Sequence, residues 1–165
     1  ISYSMNSEEL RNLYANLLAK AMNSDTKDIV HPSFVEIIKQ LSPTDSLVFK
    51  IIMERNVNPL IDLIYENNEG NFITLKTNIS DINIAPTETI SLSIDNLIRQ
   101  KLISIPEDKQ YINAMYYDNL LKNSYFIEQQ KNYPKPENGY KFSHKKRLID
   151  KTNLGELFYK ICIAD

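Results

Sequence analysis

The sequence predicts a mainly α-helical protein with a small β component (α+β class), in which an N-terminal helical layer packs on a winged-helix-like C-terminal part. Two observations lead to this class. Apolar residues recur with the spacing of amphipathic helices through the first 55 residues. Short β-branched runs bounded by turn residues begin only after residue 66. We therefore expect residues 1–66 to form the helical layer and residues 67–165 the winged-helix-like part, together one compact domain.

The first helix is predicted from a start signal followed by one apolar stripe. Asn6 is a suitable N-cap, and Glu9 lies three positions later, where its carboxylate can reach back to the cap amide. The residues of the stripe follow helical spacing and should face the core. They are Leu10, Leu13, Tyr14, Leu17, Leu18 and Met22.

Two further helices each open with a proline. Pro32 and Pro43 suit the first helical position, because the missing N–H costs nothing there. Ser42 supplies a cap and Asp45 a first-turn carboxylate, which the helix dipole favours. The short apolar piece Leu60–Tyr65 follows the third helix. The buried positions predicted in the two helices are Phe34, Ile37, Ile38, Leu41, Leu47, Val48, Ile51 and Ile52.

The C-terminal half combines strands with helices. Residues 72–75 are predicted to form a short strand, and residues 76–89 a loop or a weak second strand. A helix then starts near Ser91 or Ser93 and ends at about residue 102. It runs straight into a strand at residues 103–105, an order that is typical of a winged helix.

The remaining segment is too long for a simple wing. A helical insertion is predicted near residues 114–130, and Thr152 should cap a last helix. The inward residues of the insertion are predicted to be Met115, Tyr116, Leu120, Leu121 and Phe126. Those of the last helix are predicted to be Leu154, Leu157, Phe158, Ile161 and Cys162.

The composition of the chain limits the classes of partner and the compartment that are expected for it. The net charge of −2 lacks the basic excess of dedicated nucleic-acid binders, so such a role would depend on a local patch. The lone cysteine fits a reducing cytoplasm, where we expect the protein to reside. No apolar run approaches the roughly 20 residues that span a bilayer, so no membrane partner is expected. The chain opens with Ile1 rather than Met, which suggests a fragment of a longer protein.

No motif for catalysis, cofactor or metal binding is present, and we expect the chain not to be an enzyme. The spacing of His31 and Glu36 is not that of a zinc helix, so a capping or packing histidine is favoured. Cys162 is predicted to be a small buried hydrophobe without a base to activate it. No carboxylate has a paired spacing or a partner base among Asp45, Glu54, Asp62, Glu66, Asp81, Glu88 and Asp95.

A local basic patch offers a DNA-binding alternative. Arg99 and Lys101 would lie on the recognition helix of the winged-helix-like part. The residues that would grip phosphates are Lys141, Lys145, Lys146 and Arg147. The simpler interpretation of residues 145–147 is a solvated loop before a returning strand at residues 148–149.

Four segments together resemble the Abi-alpha family, a bacterial domain of unknown function that is linked to abortive phage infection. These segments are ELRNLYANLLA at residues 9–19, VHPSFVEIIKQLSPTD at residues 30–45, DNLIRQKLI at residues 95–103, and LGELF through Cys162 in residues 154–162. Lys101 and Asn153 depart from the family pattern, which commonly has glycine at the former position. The resemblance implies a role in phage defence and carries over no catalytic residue.

Three functions therefore stay open. The first is a protein-interaction or sensor module in phage defence, which binds a protein partner through helical surfaces. The second is a DNA-binding, winged-helix-like regulator. The third, an enzyme, has no motif to support it.

Overall fold

The computed structural model describes residues 7–134 and 138–164, and it confirms the α+β class. The α-helices in chain order are α1 (Glu8–Met22), α2 (Ser33–Lys39), α3 (Pro43–Glu54), α4 (Thr87–Arg99), α5 (Asp118–Lys122), α6 (Ser124–Asn132) and α7 (Asn153–Cys162). The strands are β1 (Pro59–Glu66), β2 (Phe72–Ser80), β3 (Ile103–Ser104), β4 (Lys141–Leu148) and β5 (Asp150–Lys151). None of the described helices is both long and apolar enough to cross a bilayer.

The chain divides into two compact units, each assembled from separate segments. Unit 1 comprises residues 1–56, 93–104 and 151–165, and unit 2 comprises residues 57–92 and 105–150. This grouping differs from the predicted division at residue 66, because the chain leaves unit 1 and returns to it twice.

Ser7 is the N-cap of α1, and Asn6, the predicted cap, lies outside the described residues. The Ser7 hydroxyl accepts a hydrogen bond from the Leu10 amide at 3.3 Å. It also donates to the Glu9 carboxylate at 2.7 Å, which holds the pKa of Glu9 below its usual value. A serine cap satisfies one of the free amides of the first helical turn.

The predicted start of α3 is confirmed as a complete capping box. The Ser42 side chain accepts from the Asp45 amide at 3.0 Å, and the Asp45 carboxylate accepts from the Ser42 amide at 2.9 Å. The buried face of α3 is rotated from the prediction, because Leu47 is 40% exposed. Val48 and Ile52 face the core as predicted, and Phe49 and Met53 are buried beside them.

Phe158 of α7 lies at the centre of the core of unit 1. Its ring contacts Phe34 edge-on, with centroids 5.4 Å apart, and Phe49 at 5.7 Å. The predicted burial of Phe158, Ile161 and Cys162 is confirmed, and Thr152 caps α7 by accepting from the Gly155 amide at 2.9 Å.

Unit 2 contains a three-stranded antiparallel sheet in the order β2-β1-β4. Its central strand, β1, is the apolar piece that the sequence assigned to the helical layer. Pairing on both edges and burial on both faces explain why its apolar residues run on without alternation. The partner β2 continues to Ser80, well beyond the predicted strand end.

The predicted insertion helix is broken into three pieces. A 3-10 turn at Ala114–Tyr117 leads into α5. Asn123 separates α5 from α6 and caps α6, since its side-chain oxygen accepts from the Phe126 amide at 2.9 Å. The tighter turn directs Tyr117 inward, whereas Met115 and Tyr116 are 72% and 43% exposed. The predicted inward positions of these two residues were therefore wrong, while those of Leu120 and Phe126 are confirmed.

The helix α4 begins at Thr87, earlier than predicted, and the strand after it is confirmed as β3. This short strand pairs with β5 in a two-stranded sheet. Unit 1 therefore contains the end of α4, then β3, β5 and α7 in chain order.

Candidate functional site

The predicted basic segment is part of strand β4 and not a loop. Neighbouring side chains of a strand point to opposite faces of the sheet, so Lys145 and Lys146 cannot share one face. Their contacts agree with this alternation. The Lys145 ammonium lies 5.0 Å from the centroid of the Phe72 ring, and the Lys146 ammonium lies 5.5 Å from that of Tyr117. The basic run is therefore divided between the two faces.

Arg147 is held inside unit 2 by an ion pair. Its Nη1 donates to Asp62 Oδ2 at 2.9 Å, and the two side chains are 15% and 7% exposed. Its Nη2 donates to the carbonyls of Ile105 and Pro106, both at 3.4 Å. The guanidinium of Arg147 is therefore engaged in contacts within unit 2.

Arg99 and Lys101 lie in unit 1, at and just beyond the end of α4. Arg99 is exposed and donates to the side-chain oxygens of Asn96 at 2.7 Å and Gln40 at 3.3 Å. Lys101 is not on the helix. It adopts a left-handed conformation, φ 59°, and the Leu102 amide donates back to the Leu97 carbonyl at 3.1 Å. This pattern closes the helix C-terminus.

Unit 1 carries an apolar groove between α1 and the start of α2, here named the α1–α2 groove. Its volume is about 320 Å³, and none of its lining residues is Asp, Glu, Lys or Arg. Leu18 is 61% exposed and Met22, at the end of α1, is 78% exposed, which contradicts their predicted place in the core. The lining residues are Tyr14, Leu17, Leu18, Ala21, Val30, His31, Pro32 and Val35.

Unit 2 carries a more polar cavity of about 430 Å³ beside strand β4, here named the sheet-face pocket. His144 contributes to it, and burial, with a further effect of the nearby Lys146 charge, lowers the pKa of its imidazole below the ordinary value. Its lining residues are Ile64, Glu66, Gly70, Phe72, Gln110, His144, Lys145 and Lys146.

The residues considered for metal or thiol chemistry have structural roles. His31 Nδ1 accepts from the Ser33 amide at 3.1 Å, a local hydrogen bond at the start of α2. Within residues 7–134 and 138–164, no three His, Cys, Asp or Glu side chains come together as a metal site. Cys162 is fully buried, and burial raises the pKa of its thiol to about 12, so it carries no reactive thiolate.

Several of the carboxylates also have structural partners. Asp45 accepts from Asn96 Nδ2 at 2.7 Å in addition to its role in the capping box. Glu88 accepts from Lys76, and this hydrogen bond is the main cause of its lowered pKa.

The chain belongs to the abortive infection alpha family, whose model matches residues 1–162. Comparison with the curated proteins finds no match. A solved structure of an uncharacterized protein from the hydrocarbon-degrading marine bacterium Alcanivorax borkumensis SK2 is similar in fold, with a TM-score of 0.50 and 15% sequence identity. The similarity covers 79% of this chain and 92% of that chain.

Proposed function

We propose that this chain is a non-enzymatic protein-interaction module of bacterial phage defence, acting in the cytoplasm. The α1–α2 groove is its docking surface, and the partner is an amphipathic helix with apolar anchor residues. The single observation that carries this proposal is an apolar groove without charged lining, whose lining includes the solvent-exposed side chains of Leu18 and Val35. Family membership supplies the biological context.

The shape and chemistry of the groove support a helical partner. The helix α1 forms one wall, and the segment Val30–Pro32 with Val35 of α2 forms the other. Amphipathic helices commonly bind in apolar grooves through residues spaced three and four apart. Leu18 and Met22 have this spacing on α1, with Val35 on α2 39% exposed. Exposed apolar clusters of this kind are uncommon on surfaces without partners.

The test is a phage-plaquing assay with the full-length gene. We expect the unchanged gene to lower plaque numbers and a Leu18→Glu, Val35→Glu variant to abolish this protection, since each carboxylate would be desolvated by the partner. Leu92→Glu is the matched control, because Leu92 is 69% exposed on α4 outside the groove. Circular dichroism must show that each variant is folded.

Two results would contradict the proposal. Failure of the unchanged gene to protect against any phage tested would remove the defence role. Full protection by the folded groove variant would show that the groove is not the docking surface.

A second candidate, DNA binding, is favoured by the order of elements in unit 1. The end of α4 is followed by β3 and then β5, which is the helix-strand-strand order of a winged helix. Exposed Arg99 and Lys101 at the end of α4 would contact phosphates. Retardation of duplex DNA in a gel by this protein at about 50 mM salt, with an affinity that falls steeply as the salt concentration rises, would support DNA binding. Arg99→Glu with Lys101→Glu should then reduce binding, and absence of retardation would exclude this candidate.

A further inference from the structure

We propose that the sheet-face pocket binds single-stranded nucleic acid, with one base stacked on Phe72 and the adjoining phosphate held by Lys145. This goes beyond the proposed function, which requires only the groove of unit 1. All residues that form the site lie in unit 2.

The stacking platform is an aromatic ring left open to solvent. Phe72 is the first residue of β2 and is 48% exposed. Gly70, in the turn before it, lines the pocket, and no atom lies within 4 Å of the position that a Cβ would take there. The space next to the ring can therefore accept a planar base. Base stacking on aromatic side chains tolerates any sequence, because every base has a π-face.

The exposed face of the Phe72 ring is in contact with the side chain of Lys145. Its ammonium lies 5.0 Å from the Phe72 ring centroid. An exposed cation–π contact is weaker than the stacking of a base on an aromatic ring. A base would thus displace the ammonium from the ring. The long lysine side chain would then be free to contact the phosphate beside that base.

The charge of the pocket suits a polyanion. Lys145 lines it and Lys141 lies on the same face of β4, against the carboxylate of Glu66, whereas the ammonium of Lys146 lies over Tyr117 on the opposite face. The amide of Gln110 also lines the pocket and can both donate to and accept from a base edge.

The strand continues this surface toward a second lysine. Lys141 is exposed and, four positions from Lys145, lies on the same face of β4. At the rise of a β-strand the two residues are about 13 Å apart. This distance favours a chain of linked nucleotides over one free nucleotide. The pocket lies beside the edge strand β4, so a polymer can enter and leave it from the side.

The test is fluorescence anisotropy of a labelled oligothymidylate with the full chain at low salt. We expect saturable binding that Phe72→Leu weakens about tenfold, equivalent to one stacked base. Lys145→Gln should weaken binding and reduce the slope of log affinity against log salt by about 0.7. Tyr116→Leu and Lys122→Gln are matched controls elsewhere in unit 2 and should bind as the unchanged chain does.

Four outcomes would overturn the inference. The first is no anisotropy change with the unchanged chain. The second is equal affinity of the Phe72→Leu and Tyr116→Leu variants. The third is a duplex that binds as tightly as the single strand. The fourth is free thymidine monophosphate that competes as well per phosphate as the oligonucleotide, which would assign the pocket to a mononucleotide. Urea unfolding midpoints keep a folding defect of Phe72→Leu distinct from lost stacking.

Discussion

The guanidinium of Arg147 donates to the carboxylate of Asp62 at 2.9 Å across two neighbouring strands of unit 2, although the residues are 85 positions apart in the chain. Both side chains are largely buried. The same carboxylate accepts from the Asn78 amide at 3.1 Å, and the same guanidinium contacts two carbonyls in residues 105–106. A residue that appears from its neighbours to be a phosphate ligand therefore connects the sheet to the segment after β3.

Replacing Arg147 by methionine should destabilise the protein by about 3 kcal/mol, because it leaves the Asp62 carboxylate buried without its counter-ion. Urea unfolding monitored by circular dichroism measures this loss. Asp62→Asn with Arg147→Met should cost less than the sum of the two single changes, since the pair is coupled. Lys145→Met is the control on the same strand face and should change stability little. A loss no larger than that of the control would contradict the prediction.

Replacing Lys101 by glycine should stabilise the protein by about 0.5–1 kcal/mol. Lys101 has a φ of 59°, and the left-handed conformation costs a residue with a Cβ about 1–2 kcal/mol. Glycine avoids this cost, although its greater freedom in the unfolded chain offsets part of the gain. Thermal unfolding is the measurement.

Lys101→Ala separates the backbone effect from the charge effect at this position. Alanine removes the same charge but keeps the Cβ, so it should not raise the melting temperature. Equal gains from alanine and glycine would show that lysine charge, and not backbone strain, limits stability.

Gly155→Ala should destabilise the protein by at least about 1–3 kcal/mol, although alanine has the higher helix propensity. A Cβ at this position of α7 would lie 1.9 Å from the carbonyl oxygen of Leu102, a backbone atom that cannot move alone. Glu156→Ala, at the next and exposed position, should stay within about 0.5 kcal/mol of the unchanged chain. Denaturant midpoints compare the two, and a stable Gly155→Ala protein would show that α7 can move away from Leu102.

The stability of the protein should fall as the pH falls below about 6.5. Burial lowers the pKa of His144 in the folded state below its ordinary value of 6.5, so in this window the unfolded chain binds more protons. The contribution is complete above the unfolded pKa and is lost progressively as the pH falls toward the folded pKa.

His144→Gln should flatten this dependence between about pH 7 and pH 5. His31→Gln is the control, because the His31 side chain is exposed at the start of α2. Unfolding free energies at several pH values measure the slope. An unchanged slope in His144→Gln would assign the pH dependence to other groups.

Local signals of the sequence predicted those features whose physical cause lies within a few residues. The capping box of Ser42 and Asp45 and the Thr152 cap of α7 each join positions three apart. Helix stripes such as Phe34, Ile37 and Ile38 are likewise local, and their burial is confirmed. The segment Leu60–Tyr65 was assigned to the helical layer, but it forms the central strand β1. Local signals could not decide between the two, since a short, fully buried apolar run fits either a helix or a central strand.

The candidate sites depended on distant contacts. Strand alternation places Lys145 and Lys146 on opposite faces of the sheet, and Arg147 forms an ion pair with Asp62. The predicted basic patch is therefore divided, and the order of residues along the chain does not show this. The sequence also did not predict the exposure of Leu18, because an apolar stripe does not show which of its residues another helix covers.

The sequence by itself determined the α+β class, the start signals of α3 and α7 and the resemblance to the abortive infection alpha family. Tertiary structure alone decided which apolar residues remain exposed in the α1–α2 groove and which cations are available on β4. The physical reason is the separation along the chain of the residues that interact. Caps and helical periodicity are interactions between near neighbours in the chain, whereas burial and ion pairing are set by residues that meet only after the strands and helices have packed.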